Sequence, residues 1–216
     1  MAENLSGKMP LTCFFGPDGS GKTSIAQRLT AILCRDSKTK NAWLRGTHTL
    51  ASILARLLRK FRAFQGSDNP YYGLRIPPKL RHLWQLLEFI SIIPVWLWRL
   101  AVPKFLGYTV IGERGLLDFV VWVSITTRDL GFIHSPLSRI ALALGLKRCL
   151  NIYVRADLEV LKTRRADETA QTIPLQLALY DAIARAVGAP VIDTTGKSVN
   201  ESLVETLNIL KARGSL

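Results

Sequence analysis

The residues best suited to chemistry lie in one run, Gly16, Pro17, Asp18, Gly19, Ser20, Gly21, Lys22 and Thr23, which satisfies G-x-x-x-x-G-K-[ST] at every fixed position. Glycines let the backbone curl with its N–H groups facing inward, which builds an anion nest at a helix N-terminus, where the dipole also favours phosphate. Lys22 can reach the outer phosphate oxygens of a nucleoside triphosphate, and the Thr23 hydroxyl can ligate a divalent cation. The expected chemistry is phosphate binding by this loop and the adjoining Ser24.

Such a loop needs a strand before it and a helix after it. The apolar run 11–15 reads as a buried strand, and Ile25, Leu29, Ile32 and Leu33 recur at helical spacing. Further strands are expected at 41–44, 108–111, 150–154 and 190–193. Between them, helical patterns are expected over 50–64, from 79 to a stop or kink at Pro94, and over 116–127, 136–144 and 174–187. A shorter helix follows Asp157, and a last one follows the capping box of Ser198 and Glu201. In the 50–64 helix the leucines and phenylalanines should face inward and Arg56, Arg59, Lys60 and Arg62 outward; 65–78 reads as a loop. Strands alternating with helices mean a parallel sheet of five strands, helices on both faces, and ligands at the strands' carboxyl ends.

At 216 residues, with no repeat, low-complexity tract or linker, the chain suits a single α/β domain. A net charge of +13 favours polyanions without choosing among nucleotides, nucleic acid and anionic lipid. Cys13, Cys34 and Cys149 have neither the number nor the spacing of a disulfide framework or zinc site, which suggests a reducing compartment. The first nine residues lack the apolar core of a signal peptide, so a cytoplasmic location is expected. The segment 83–106 is rich in Trp and aliphatic residues but interrupted by Gln85, Glu88, Arg99 and Lys104. A buried helix pair or partner surface is the main expectation there. Peripheral membrane contact stays open because Trp beside basic residues suits an interface.

Taken in order, these motifs resemble the thymidylate kinase-like branch of the nucleoside monophosphate kinases, over residues 11 to about 210. The loop 15–23, with its acidic Asp18, is similar to that family's phosphate loop. Glu113-Arg114 with Asp118 is similar to its D-R-Y-x-x-D stretch, with Glu113 in place of the usual Asp. Residues 161–168 stand where its Arg-bearing lid would lie, and 191–196 resemble its last strand and the loop beside adenine. The resemblance implies a P-loop NTPase fold of three α/β/α layers with a lid at about 162–173. It also implies transfer of the ATP γ-phosphoryl to a nucleotide acceptor, dTMP first.

A phosphate acceptor needs no strong general base, so positive charge should carry the catalysis. The resemblance then assigns Lys22, Arg164, Arg165 and Glu113 to catalysis and Thr23 and Glu113 to Mg2+. It assigns Thr195 and Gly196, with the phosphate loop, to ATP, and Asp18, Arg45, Arg114, Asp118, Tyr71 and Tyr72 to the acceptor. Gly46-Thr47-His48 depart from the family's Arg-Glu-Pro-Gly pattern after Arg45. The competing class is an ATPase or nucleotide-binding module without an acceptor, acting with nucleic acid or a membrane. No N-K-x-D guanine motif occurs. Nucleotide substrates are the expected partners and nucleic acid is not. A homodimer is expected from the all-round apolar stretch 116–125.

Overall fold

The computed structural model describes residues 9–44, 50–69, 73–165 and 171–213. In chain order the elements are β1 (Leu11–Phe15), α1 (Lys22–Leu33), β2 (Thr39–Trp43), α2 (Leu50–Leu58), β3 (Gln65–Asn69), α3 (Arg81–Trp96), α4 (Val102–Phe105) and β4 (Thr109–Glu113). There follow α5 (Leu116–Thr126), α6 (Pro136–Arg148), β5 (Cys149–Arg155), α7 (Leu158–Arg164), α8 (Ile173–Val187), β6 (Val191–Asp193) and α9 (Val199–Ala212). Five of the strands form one parallel sheet in the order β2-β4-β1-β5-β6.

Successive strand residues point to opposite faces, and the two faces have separate cores. Cys13 and Phe15 of β1 pack with α3, α5 and α8 on one face, through Trp96, Leu117, Val120 and Tyr180. Phe14 of the same strand packs with α1 and α9 on the other, through Ile25, Leu29, Leu203 and Leu210. Being covered on both faces, β1 is apolar throughout apart from a threonine, as the parallel-sheet reading expects. Phe14 is in register with Glu113 of β4 and Ile152 of β5, so the carboxyl ends of the three central strands finish at about the same level.

Strand boundaries differ from the sequence expectation by one to two residues. The larger differences lie between β2 and β4. The helix expected over 50–64 ends at Leu58, and its buried face is made of Ala51, Ser52 and Ala55. Leu50, Ile53, Leu54 and Leu57 point outward, contrary to the expectation from periodicity. Small residues bring α2 close to α3, where the Ala51 N–H donates to Ser91 Oγ at 3.2 Å. The expected loop 65–78 contains β3, bridged antiparallel to Leu74.

Pro94 neither stops nor breaks α3. The helix continues through it into a π-helical segment, Leu97–Ala101, and then α4. Proline removes one N–H and crowds the preceding turn, and the wider π turn takes up the altered register.

The stretch that suggested a homodimer, α5, is buried within the chain. Nine of its eleven residues are buried against α3, α6, α8 and the sheet. Its apolarity is satisfied within the chain, so it is no longer a reason to expect a subunit interface. Leu117→Ala should therefore lower stability by about 2–5 kcal/mol in urea titrations, by the same amount at every protein concentration. A concentration-dependent loss would return α5 to an interface.

Candidate functional site

The site begins where β1 gives way to α1. Gly16 has φ 146°, and a Cβ there would lie 2.1 Å from the Val154 carbonyl oxygen, so only glycine fits beside β5. Gly19 (φ 85°) and Gly21 (φ 92°) also take the left-handed conformations that turn the backbone inward, and Gly21 caps α1. Ser20 is fully buried beneath the loop, while Thr23 and Ser24 are exposed on the first turn of α1.

Lys22 is only 5% exposed. Its Nζ donates to the Pro17 carbonyl at 2.6 Å and to Ser20 Oγ at 3.1 Å, so the ammonium lies folded across the loop. Burial, with the Arg114 charge adding to it, lowers its pKa to about 7, against the opposing pull of Asp18, Asp118 and Glu113. An anion entering the nest would restore the charged form.

Arg114 sits just beyond β4 with φ 74°, a conformation that non-glycine residues adopt only when their surroundings hold them there. Its guanidinium pairs with Asp18 of the loop and, at 3.3 Å, with Asp118 of α5. Asp118 is the hub. Its Oδ1 also accepts from the Tyr180 hydroxyl at 2.9 Å and the Gly16 N–H at 3.4 Å, and its Oδ2 accepts from the Gly115 N–H at 2.9 Å as the α5 cap. Burial raises its pKa, with Arg114 and Lys22 opposing. Asp118 thus fixes the loop, α5 and α8 relative to one another.

Thr23 Oγ1 donates to Glu113 Oε1, bringing two oxygens together at the mouth of the loop. A hydroxyl beside a carboxylate suits a hard divalent cation, which commonly takes its remaining ligands from phosphate and water. Among the described residues no group of three His, Cys, Asp or Glu converges elsewhere as a metal site.

From the other side, Arg164 at the end of α7 crosses to the loop. Its Nη1 donates to the Gly19 carbonyl at 3.2 Å and to Thr194 Oγ1 at 3.1 Å, and its Nη2 donates to the Thr194 carbonyl at 3.2 Å. Arg165 follows, with its side chain against Gly19. Both arginines line a cavity of about 790 Å³ with Lys22, Thr23, Ser24 and Glu113. Thr194 and Lys197 line it too, whereas Thr195 and Gly196 do not. Thr195 Oγ1 instead accepts from the Asp157 N–H at 2.8 Å. Arg45, Tyr71 and Tyr72 lie outside the described residues.

A second, narrower cavity of about 50 Å³ runs from Asp18 and Arg114 between apolar walls that include Leu44, Ile92, Phe119 and Trp122. Three of its polar residues were absent from the sequence expectation. Gln176 and Tyr180 stand one turn apart on α8, and Gln176 Oε1 accepts from the Asp18 N–H at 3.0 Å. Their i, i+4 spacing on an apolar helix was the available signal. Glu88 is the third: it is 4% exposed, and its Oε1 accepts from Trp84 Nε1 at 3.2 Å. Its signal was a lone acid in a long apolar helix.

Burial raises the Glu88 pKa to about 7, despite the Trp84 hydrogen bond that favours the ionised form. The folded value lies above the unfolded one. Between pH 4.5 and about 7 the folded chain therefore binds more protons than the unfolded chain, and stability falls as pH rises through that window. Glu88→Gln keeps an acceptor for Trp84 and removes the ionisation. In urea titrations it should be more stable than the parent at pH 8 by roughly 3 kcal/mol and should match it in acid. Equal stability at pH 8 would show that the carboxylate is compensated.

No family model and no curated protein matches the sequence. Solved structures do match. The thymidylate kinase from Candida albicans, a structure described as revealing the origin of broad substrate specificity, aligns over 96% of this chain and 93% of its own at a TM-score of 0.64. Identity is 13%, so the likeness is one of fold. The chain has a three-layer α/β/α architecture with its sheet and helices arranged as in that thymidylate kinase structure.

Proposed function

We propose that this chain is an ATP-dependent nucleotide kinase that moves the γ-phosphoryl group of ATP onto the 5′-phosphate of a nucleoside monophosphate, with dTMP the first candidate. One observation carries the reading. The wide cavity over the phosphate loop and the apolar cavity beside it share Asp18 and Arg114, so two ligands could meet there. A simple ATP-binding module has no use for the second cavity.

In this reading the loop N–H groups and Lys22 hold the β- and γ-phosphates. Thr23 and Glu113 would hold Mg2+, which when bound would neutralise charge on the phosphate oxygens. Arg114 receives the acceptor phosphate. Asp18 accepts from the acceptor's sugar hydroxyl and, with Asp118, orients Arg114. An acceptor phosphate oxygen forms a bond to the γ-phosphorus as the bond from that phosphorus to the β–γ bridging oxygen breaks. Arg164 and Arg165 then stabilise the spread of negative charge. Residues 162–173 act as a lid, and Arg164 is already seated across the loop on Gly19 and Thr194. Thr195 and Gly196 form the adenine-side turn, and Arg45, Tyr71 and Tyr72 complete the acceptor site on the strength of the sequence alone. The protein works as one domain in the cytoplasm.

The apolar cavity is too narrow for a nucleobase as it stands, so acceptor entry requires its walls to part. That narrowness favours the second reading, an ATPase or nucleotide-binding module without an acceptor. Phosphotransfer from Mg-ATP to a panel of nucleoside monophosphates and nucleosides, with products weighed by mass spectrometry, separates the two. A nucleoside diphosphate from one acceptor supports the kinase. ATP hydrolysis without any phosphorylated acceptor supports the module.

Lys22→Ala should abolish turnover in the same assay, and retained activity would remove the loop from the chemistry. Arg164→Ala with Arg165→Ala should lower kcat by about 10²-fold or more while moving ATP affinity much less. An unchanged kcat would mean that these arginines do not reach the transition state.

A further inference from the structure

The molecule carries a large apolar surface that neither the cores nor the proposed chemistry uses. From Pro78 to Phe105 the chain is helical almost throughout, and one row of large apolar residues stays outside: Leu83, Leu86, Ile90, Leu97 and Phe105. At 1.5 Å per residue that row is about 33 Å long. Trp98 is 73% exposed and Phe105 is 90% exposed, so two large aromatic rings stand in solvent at one end. Packed against this helix is α2, whose outward residues are also apolar.

The same region is unusually basic. Residues 37–112 contain twelve Lys and Arg but only Asp68 and Glu88 as acids, so ten of the thirteen net charges fall there. Glu88 is buried and faces the interior. Arg59, Lys60, Arg62 and Lys79 are exposed, and none makes an ion pair among the described residues. Because Ala51 meets Ser91 while Ala55 and Leu58 share a cluster with Trp84, α2 runs antiparallel to α3. The cations after α2 therefore stand near Lys79, at the opposite end of the helix pair from Trp98.

We propose that this helix pair docks the protein on an anionic phospholipid bilayer, with the α3 row and the Trp98 and Phe105 rings in the interface and the flanking cations on lipid headgroups. An apolar face with aromatic rings and basic flanks is the chemistry of an interfacial helix. The segment is long and apolar enough to cross a membrane, but a third of its most apolar window is buried in the protein. Spanning would strip Trp84, Trp96 and Leu100 from the core, whereas lying flat uses only what is already outside. A second copy is the competing occupant: across a two-fold running antiparallel, the cations of one copy would meet the Trp98 end of the other, and sedimentation velocity separates it from a bilayer. The proposal is independent of the phosphoryl acceptor.

The test is co-sedimentation of the full chain with vesicles of phosphatidylcholine alone or mixed with phosphatidylglycerol. Each basic residue at an anionic surface contributes about fivefold to partitioning, and that attraction fades as the Debye length falls from about 10 Å at 0.1 M salt to about 3 Å at 1 M. Binding to the mixed vesicles only, weakened by salt, is the expected result. Trp98→Glu with Phe105→Glu should weaken it about tenfold or more, and Arg59→Ala with Lys60→Ala and Arg62→Ala about a hundredfold. Circular dichroism should show both variants folded like the parent, as all five residues are on the surface. Equal binding to neutral vesicles, no binding, or folded variants that bind like the parent would overturn the proposal. So would a dimer in sedimentation velocity that the Trp98 and Phe105 changes dissociate, because the face would then belong to a second copy.

Discussion

The structure around the phosphate loop depends on one buried arrangement of charge, Arg114 held between Asp18 and Asp118. These carboxylates belong to the loop after β1 and to α5, and Arg114 directly follows β4, the neighbour of β1 in the sheet. Breaking the set would leave charge buried without a partner, which is far more damaging than losing an exposed ion pair. Arg114 holds this place in a left-handed conformation, uncommon for a residue other than glycine. Tyr180 and Gly115 satisfy the remaining capacity of Asp118, so the network is closed by hydrogen bonds as well as by charge.

This arrangement governs the electrostatics of the site. Lys22 lies near Arg114 in the same low-dielectric pocket, and its lowered pKa follows from that confinement. Arg164 approaches from outside and, among the described residues, is held by carbonyl and hydroxyl oxygens rather than by an acid. Carbonyl and hydroxyl oxygens leave a guanidinium its full charge with which to meet an anion. The site has a rigid half built on the sheet and α5, and an outer half built on α7, which is the division of labour expected of phosphoryl-transfer chemistry.

Two apolar helices of similar composition have opposite fates. Almost every side of α5 meets a neighbour, because the sheet, α3, α6 and α8 surround it. The long helix through α3 lies at the margin of the fold and buries only part of its circumference, with Trp84, Trp96 and Leu100 inside and Leu83, Ile90 and Phe105 outside. The first completes a core. The second completes a core and also presents a surface.

The sequence by itself determined the phosphate loop, the alternation of strands and helices, the capping box of Ser198 and Glu201, and the positions of Glu113, Arg114, Arg164 and Arg165 near strand or helix ends. These are local properties: a glycine pattern, a period of two or 3.6 residues, or a side chain that bonds its own backbone. Tertiary structure decided what depends on distant residues. It decided that Asp118 joins the loop to α8, that Gln176 and Tyr180 reach the site, that Thr194 rather than Thr195 lines the wide cavity, and that Glu88 turns inward. It also decided which way α2 faces. Periodicity gives a helix an apolar side, but only its neighbours determine whether that side is buried, and here the alanines on the opposite side allow the closer approach.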